Sequence, residues 1–183
     1  MECEEKQLSS QLIYDGRILQ LYRDKVVLPD GSCSDREYVH HTGGSSVLAV
    51  DSDGQIYLVE QYRYPNHCTT LEIPAGKLDA GEDPMICAVR ELREETGLIA
   101  RSLYDMGILF PTPAYTDEPL HIYLCTDFEA GESCLDAHEL LNVVKLSLTD
   151  VMQKIRRNEI RDAKTVAAIL RYSTGLYDSK LPV

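Results

Sequence analysis

The chain has 183 residues with 30 acidic and 18 basic side chains, a formal net charge of −12. That balance argues against nucleic acid or an anionic membrane as a partner, because both call for a cationic face. A phosphate-bearing small molecule remains compatible, since a bound metal or a few arginines set the local field.

At this length, a hydrophobic content of 44% predicts one globular domain over 1–183, with an N-terminal arm over 1–41 and a core over 42–183. The opening MECEEKQ is acidic and polar, which predicts no secretory leader, and no apolar run approaches a membrane span. The six cysteines show no metal-finger spacing, so reduced thiols in a cytoplasmic protein are expected.

Ile18 to Leu28 alternates as a strand, Pro29-Asp30-Gly31 turns, and Ser32 to His41 returns. This predicts an antiparallel β-hairpin arm, which must pack on the core or on a second copy because an isolated hairpin is marginal. Ser45 to Val50 and Gln55 to Gln61 read as strands around Asp51-Ser52-Asp53-Gly54. Leu71 to Ile73 is a short strand. Later strands are expected over Ile99 to Phe110, Leu120 to Phe128 and Asn142 to Leu146, with loops over Pro111 to Pro119 and Glu129 to Glu139. Thr149 or Asp150 is expected to cap a helix to about Asn158, and Asp162 a last helix through Tyr172. The order predicts an α+β fold, a mixed sheet between helices.

Gly76 to Leu98, GKLDAGEDPMICAVRELREETGL, carries the chemistry. Asp83 suits a helix N-cap, Pro84 the first helical position and Gly97 the C-terminal stop. Met85, Ala88, Val89, Leu92 and Thr96 form a stripe for burial. Glu91 and Glu95 stand four apart with Glu94 beside them, and Arg90 reaches Glu94 at the same spacing. Three carboxylates that close repel one another, whereas a hard divalent cation with oxygen ligands reverses the sign. Cys87, one turn before Glu91, reads as packing.

Gly76, five residues, Glu82, seven residues, then Arg90-Glu91-Leu92-x-Glu94-Glu95-x-Gly97-Leu98 resembles the Nudix box at all nine specified positions. Glu60-Gln61-Tyr62-Arg63-Tyr64-Pro65, Leu71-Glu72-Ile73-Pro74-Ala75-Gly76, Pro113 at 16 residues past Gly97, Arg36-Glu37 and Asp162-Ala163-Lys164-Thr165 are similar to the ADP-ribose pyrophosphatase group of that family. The resemblance implies a helix–sheet–helix (α/β/α) sandwich and a Mg²⁺- or Mn²⁺-dependent hydrolase cleaving ADP-ribose to AMP and ribose 5-phosphate. It implies metal ligation by Glu91, Glu94, Glu95 and the Ala75 carbonyl. It also implies a homodimer formed through the arm.

A base or further ligand is expected from the loop after the box, with Glu118 as candidate and Asp117 as alternate. Glu94 and Glu118 are thus the catalytic candidates. A planar guanidinium suits a pyrophosphate, so Arg63 and Arg36 are candidates for substrate binding, with Lys77 in the box loop. Glu37 is a candidate acceptor for adenine or ribose donors, and Glu72 a brace for a substrate-facing arginine. Tyr14, Tyr22, Tyr38 and Tyr115 are candidate platforms for the base. His40 and His41 receive no catalytic role. Two alternatives stand beside this reading: a Nudix hydrolase of another nucleoside-diphosphate sugar, GDP-mannose in type, and a nucleotide-sugar sensor that no longer cuts. Retention of every box carboxylate weighs against the sensor.

Overall fold

A computed structural model describes residues 3–135 and 140–177. Its larger sheet runs in the order β10-β5-β4-β9-β8. The strands are β4 (Gly44–Val50), β5 (Gln55–Arg63), β8 (Leu98–Leu109), β9 (Leu120–Ala130) and β10 (Leu141–Ser147). Two short strands sit off this path, β6 (Cys68–Glu72) against β5 and β7 (Ala75–Lys77) against β4. Only the β4–β9 pairing is parallel, so the sheet is mixed.

Strand β4 is buried along its whole length because both faces of the sheet are covered. Side chains alternate across a strand, and the core divides accordingly. Val47 and Ala49 pack with Ala88, Leu92 and Leu103 on the side of α1 (Pro84–Thr96). Leu48 and Val50 pack with Val151, Ile160 and Ile169 on the side of α2 (Leu148–Arg156) and α3 (Ala163–Thr174). The expected helix–sheet–helix sandwich is what forms. None of these helices is long and apolar enough to cross a membrane.

The arm is one strand richer than the expected hairpin. β1 (Lys6–Asp15), β2 (Gln20–Val27) and β3 (Cys33–His40) form a separate antiparallel sheet in that order. All ten residues of β1 are exposed, among them Leu8, Leu12, Ile13 and Tyr14, so the strand carries no inside–outside pattern in its sequence. The cap of the first late helix also differs. Ser147, not Thr149 or Asp150, is the cap, its Oγ accepting from the Asp150 amide at 3.1 Å. Asp162 caps α3 as expected, accepting from the Thr165 amide at 2.9 Å. The loop expected over Glu129 to Glu139 begins two residues late, because β9 continues through Ala130, and its stretch 136–139 lies outside the described residues.

Candidate active site

Helix α1 begins where Asp83 Oδ1 accepts from the amides of Met85 (2.8 Å) and Ile86 (3.3 Å), with Pro84 in the first turn. It ends at Gly97, whose φ of 73° is the left-handed stop that glycine takes without strain. The buried face differs from the expected stripe. Ala88 and Leu92 are inside, but Val89 is exposed, and Cys87, Glu91 and Glu95 take the remaining buried positions.

Two carboxylates can be buried there because the loop beside them lacks side-chain bulk. A Cβ added to Gly76 would lie 1.8 Å from Glu91 Oε1, so the glycine makes the space in which that carboxylate rests against the box loop. Glu95 Oε2 accepts from the Ala75 amide at 3.1 Å. Glu91 and Glu95 are therefore brought to the same short strand, β7, that supplies Ala75 and Gly76.

Arg90 governs the solvent side. Its Nε and Nη2 donate to the two oxygens of Glu82, both at 3.0 Å, while Nη1 donates to Glu91 (2.6 Å) and to Glu94 (3.0 Å). The guanidinium and the Asp79 amide hold the Glu82 carboxyl at a pKa of about 2. One cation thus faces three carboxylates. Burial, reinforced by the nearby Glu82 charge, raises the Cys87 thiol to about 12, which fits the packing role expected of it.

The donors offered here are carboxylate oxygens beside a backbone turn, the set a hard divalent cation prefers. The excess of negative charge over Arg90 fits such an ion. Among the described residues no three acidic, histidine or cysteine side chains yet meet at one point. Arg90 draws Glu91 and Glu94 to one side, and Glu95 turns to the Ala75 amide.

A second group lies across the sheet's end. Glu72 is almost wholly buried and accepts both Arg63 Nε (2.8 Å) and Nη2 (2.7 Å), Thr70 Oγ1 (2.5 Å) and the Lys164 ammonium. Burial by itself would raise this carboxyl; the Arg63, Lys164 and Thr70 contacts outweigh it and bring it to about 2. Lys164 also meets Asp162 at 3.0 Å. Arg63 Nε and Nη2 thus pair with the two oxygens of Glu72.

The two groups border one depression. A cleft of about 350 Å³ is lined by Arg63, Ala75, Gly76, Lys77, Glu118 and Lys164, among others. It shares Gly76 and Lys77 with a cleft of about 470 Å³ that takes in Arg90, Glu91 and Glu94. A larger hollow, about 660 Å³, lies along the outer face of α1 against β8 and is mainly apolar, with Met85, Ile86, Val89 and Leu103 in its wall. The polar pair of clefts gathers the charged side chains.

The loop after the box is tied to the arm. Val39 pairs with Thr116 in a parallel bridge, and the Val39 amide donates to Tyr115 O at 2.8 Å. Asp117 meets His40 Nδ1 at 2.6 Å and accepts from the His41 amide at 3.0 Å. Its own carboxyl is held low by these two contacts against the opposing effect of burial. Asp117 is thereby engaged with the arm, while Glu118 faces the cleft with His41 Nδ1 3.4 Å from its Oε1.

Of the candidates from sequence, Ala75, Glu91, Glu94, Arg63, Lys77 and Glu118 line this connected depression, while Glu95 lies buried behind it at the Ala75 amide. Arg36 and Glu37 do not. Arg36 is exposed on β3, where Nε donates to Glu5 at 2.8 Å, and Glu37 sits opposite Arg23 on β2. The four tyrosines also stay away: Tyr22 stacks on Tyr38 with centroids 5.4 Å apart, and Tyr14 and Tyr115 are exposed. Arg17, Lys164 and His41 line these clefts without having been given a role. The Asp162-Ala163-Lys164-Thr165 segment was the available signal for Lys164; a lone arginine in a turn gives none for Arg17.

Such a fold lays a capped acidic helix against a glycine loop at a polar cleft, where carboxylate oxygens suit a divalent cation and arginine and lysine side chains suit a phosphate. The NUDIX domain family matches residues 40–169, and the nucleoside diphosphate sugar hydrolase N-terminal domain family matches residues 5–39. The chain belongs to the Nudix hydrolases, enzymes that generally use divalent metals.

It is 40% identical over 168 residues to an ADP-ribose pyrophosphatase of Bacillus subtilis, covering 91% of each chain. It is 39% identical over 168 residues to a methanol dehydrogenase activator of Bacillus methanolicus, again covering 91% of each. A crystal structure of an ADP compounds hydrolase superposes with a TM-score of 0.82 at 22% identity over 94% of each chain, a likeness of fold.

Proposed function

We propose that the chain hydrolyses the pyrophosphate of ADP-ribose, giving AMP and ribose 5-phosphate. The observation that carries this is its similarity, along nearly the whole chain, to a protein named as an ADP-ribose pyrophosphatase. The cleft supports the same reading, since box carboxylates, a braced arginine and a loop carboxylate border one depression.

In this reading Glu91, Glu94, Glu95, Glu118 and the Ala75 carbonyl hold Mg²⁺ or Mn²⁺. A divalent cation there neutralises phosphoryl oxygens and lowers the cost of deprotonating the attacking water. Arg63, fixed by Glu72, and Lys77 orient the pyrophosphate. Glu118 takes the proton from the attacking water, and Glu94 is the second carboxylate near the reacting phosphorus. The arm and core work as one unit in the cytoplasm. Two chains associate through the exposed apolar strand β1, with Arg36 and Glu37 serving the neighbouring copy's substrate.

A panel of nucleoside-diphosphate sugars with Mg²⁺, read by phosphate release after phosphatase treatment, tests the substrate. ADP-ribose is expected to be cleaved with the highest kcat/KM. Faster turnover of GDP-mannose would move the assignment to that class. Substitution of Glu118 by Gln is expected to lower kcat with little change in KM; wild-type kcat in that variant would remove Glu118 from the proton transfer.

A further inference from the structure

The arm ends at His40 and the core sheet begins at Gly44. The loop that carries Glu118 is fastened along this junction. Val39 turns both of its backbone groups to the loop: its amide donates to Tyr115 O at 2.8 Å, and its carbonyl accepts from the Asp117 amide at 3.3 Å. The Asp117 carboxylate engages the arm with both oxygens, one meeting His40 Nδ1 at 2.6 Å and the other accepting from the His41 amide at 3.0 Å. A carboxylate only accepts, so the His40 nitrogen supplies the hydrogen. The His40 ring is itself set by the arm, edge-on to Tyr22 with centroids 6.4 Å apart. Beyond Glu118, Pro119 O accepts from the Gly44 amide at 3.0 Å. Gly43 lets the loop come this close: its φ is 92°, and a Cβ there would stand 2.8 Å from Pro119 O.

Glu118 is therefore clamped through both neighbours, by Asp117 to the arm and by Pro119 to the core. Its own carboxylate has a looser hold. His41 Nδ1 comes within 3.4 Å of Glu118 Oε1, but that nitrogen already accepts from the Gly43 amide at 3.1 Å, and in a neutral ring it has no hydrogen to give. The place of Glu118 at the cleft is thus set through the backbone. Connecting loops are ordinarily the mobile parts of a fold, and a proton acceptor has to stand within hydrogen-bond reach of its proton.

We infer that Asp117 is a positioning residue, which with His40 fastens the loop to β3 so that Glu118 stands at the cleft. The arm thereby acts on proton transfer within its own chain. This rests on the proposed role of Glu118 in that transfer, and it assigns Asp117 to the fastening rather than to the base.

The test measures kcat and KM of full-chain variants, with Mg²⁺, on the nucleoside-diphosphate sugar that wild type cleaves fastest. Asp117→Ala cuts both carboxylate contacts and is expected to lower kcat about tenfold or more, because small misplacements of a reacting group are costly. KM should stay within about twofold, since no substrate contact is lost. His40→Ala removes one contact and should fall between wild type and Asp117→Ala. Asp117→Asn keeps an acceptor for the His41 amide and, with the other histidine tautomer, a partner for His40. Its kcat should stay within about threefold of wild type, where loss of a base would cost about 100-fold or more. In the Glu118→Gln background, Asp117→Ala should lower kcat no further, because its effect runs through that carboxylate. Hydrogen exchange of the Val39 amide reads the fastening without catalysis: its protection should drop in Asp117→Ala and stay at the wild-type value in Glu118→Gln. The inference is overturned if the fall in kcat of Asp117→Ala stays short of that expected, if Asp117→Asn is as slow as Asp117→Ala, or if the fall persists in the Glu118→Gln background. Wild-type kcat in Glu118→Gln would instead defeat the proposed role of Glu118 alone. The fastening would then be decided by the Val39 amide, unchanged protection in Asp117→Ala overturning it.

Discussion

Two charged clusters flank the cleft, and they are built in opposite senses. At Arg90 one cation faces Glu82, Glu91 and Glu94. At Glu72 the charges balance: Arg63 and Lys164 meet Glu72 and Asp162. Burial makes the contrast meaningful. A buried set must be neutral or suffer a large desolvation cost, and Glu72 and Lys164 are both buried. A set left with surplus negative charge at a cleft edge is neutralised by what enters. The balanced cluster positions an arginine; the unbalanced one attracts a cation.

The largest effect should come from neutralising a carboxylate of the box helix. Glu95→Gln keeps the size of a side chain that is buried against the Ala75 amide but removes its charge from the donor set. Loss of several kcal/mol of metal-derived stabilisation corresponds to a fall in kcat of roughly 100-fold or more. Steady-state kinetics across a Mg²⁺ series checks this. A variant within tenfold of wild type would put the cation elsewhere.

Next in size is the balanced cluster. Glu72→Gln leaves Lys164 with Asp162 alone and releases Arg63, at an expected cost of about 3 to 5 kcal/mol in stability. The dependence on pH gives a second reading. The Glu72 carboxyl lies at about 2 in the fold against an ordinary 4.5. A lowered folded value means that its contribution is complete above 4.5 and disappears as pH falls towards 2. Chemical denaturation between those limits should show wild type losing about 3 kcal/mol through this group, and the variant losing correspondingly less. Parallel curves would mean that Glu72 does not carry the cluster.

The two clusters were unequally legible in the sequence. The Arg90 side is local: a cap, an i,i+4 pair and a stop, all within α1, so spacing sufficed for Arg90–Glu94 and for both helix ends. Burial was harder. Val89 is apolar and exposed while Glu91 and Glu95 are charged and buried, an inversion that depends on the missing side chain at Gly76, fifteen residues before Glu91. Long-range partners were beyond pattern. Lys164 reaches Glu72 across 92 residues, and Asp117 reaches His40 across 77. Strand β1 was invisible because no face of it is buried within the chain, and Arg17 because its place follows from how the arm folds back on the box loop.

A smaller effect separates geometry from charge on the Arg90 side. Arg90→Lys preserves one positive charge but cannot fork to Glu82 while also reaching Glu91 and Glu94. Arg90 touches ligand candidates without supplying an oxygen, so it is a positioning residue. Loss of such a contact typically costs 10- to 100-fold in metal affinity. Calorimetric titration with Mn²⁺ is expected to show that loss, accompanied by a rise of the Glu82 carboxyl from about 2. Unchanged Mn²⁺ affinity would mean that net charge alone, and not the fork, prepares the site.

The finest distinction lies in Asp162, which serves two purposes at once. One oxygen accepts from the Thr165 amide and hydroxyl, capping α3, and the other meets Lys164. Asn caps about as well as Asp, so Asp162→Asn removes the charge and leaves the cap. It also turns an amide group towards an ammonium where a carboxylate stood. Ser147→Ala is the matched control, because it deletes the cap of α2, whose serine meets no cation. The control should cost about 1 kcal/mol; Asp162→Asn should cost roughly 1.5 to 3 kcal/mol, the range for hydrogen bonds to charged groups. Thermal unfolding of the two variants side by side decides the point. If Asp162→Asn costs no more than the control, Lys164 is neutralised by Glu72 alone. The cluster would then carry one surplus positive charge from Arg63 into the cleft, making it the electrostatic opposite of the Arg90 side rather than its balanced counterpart.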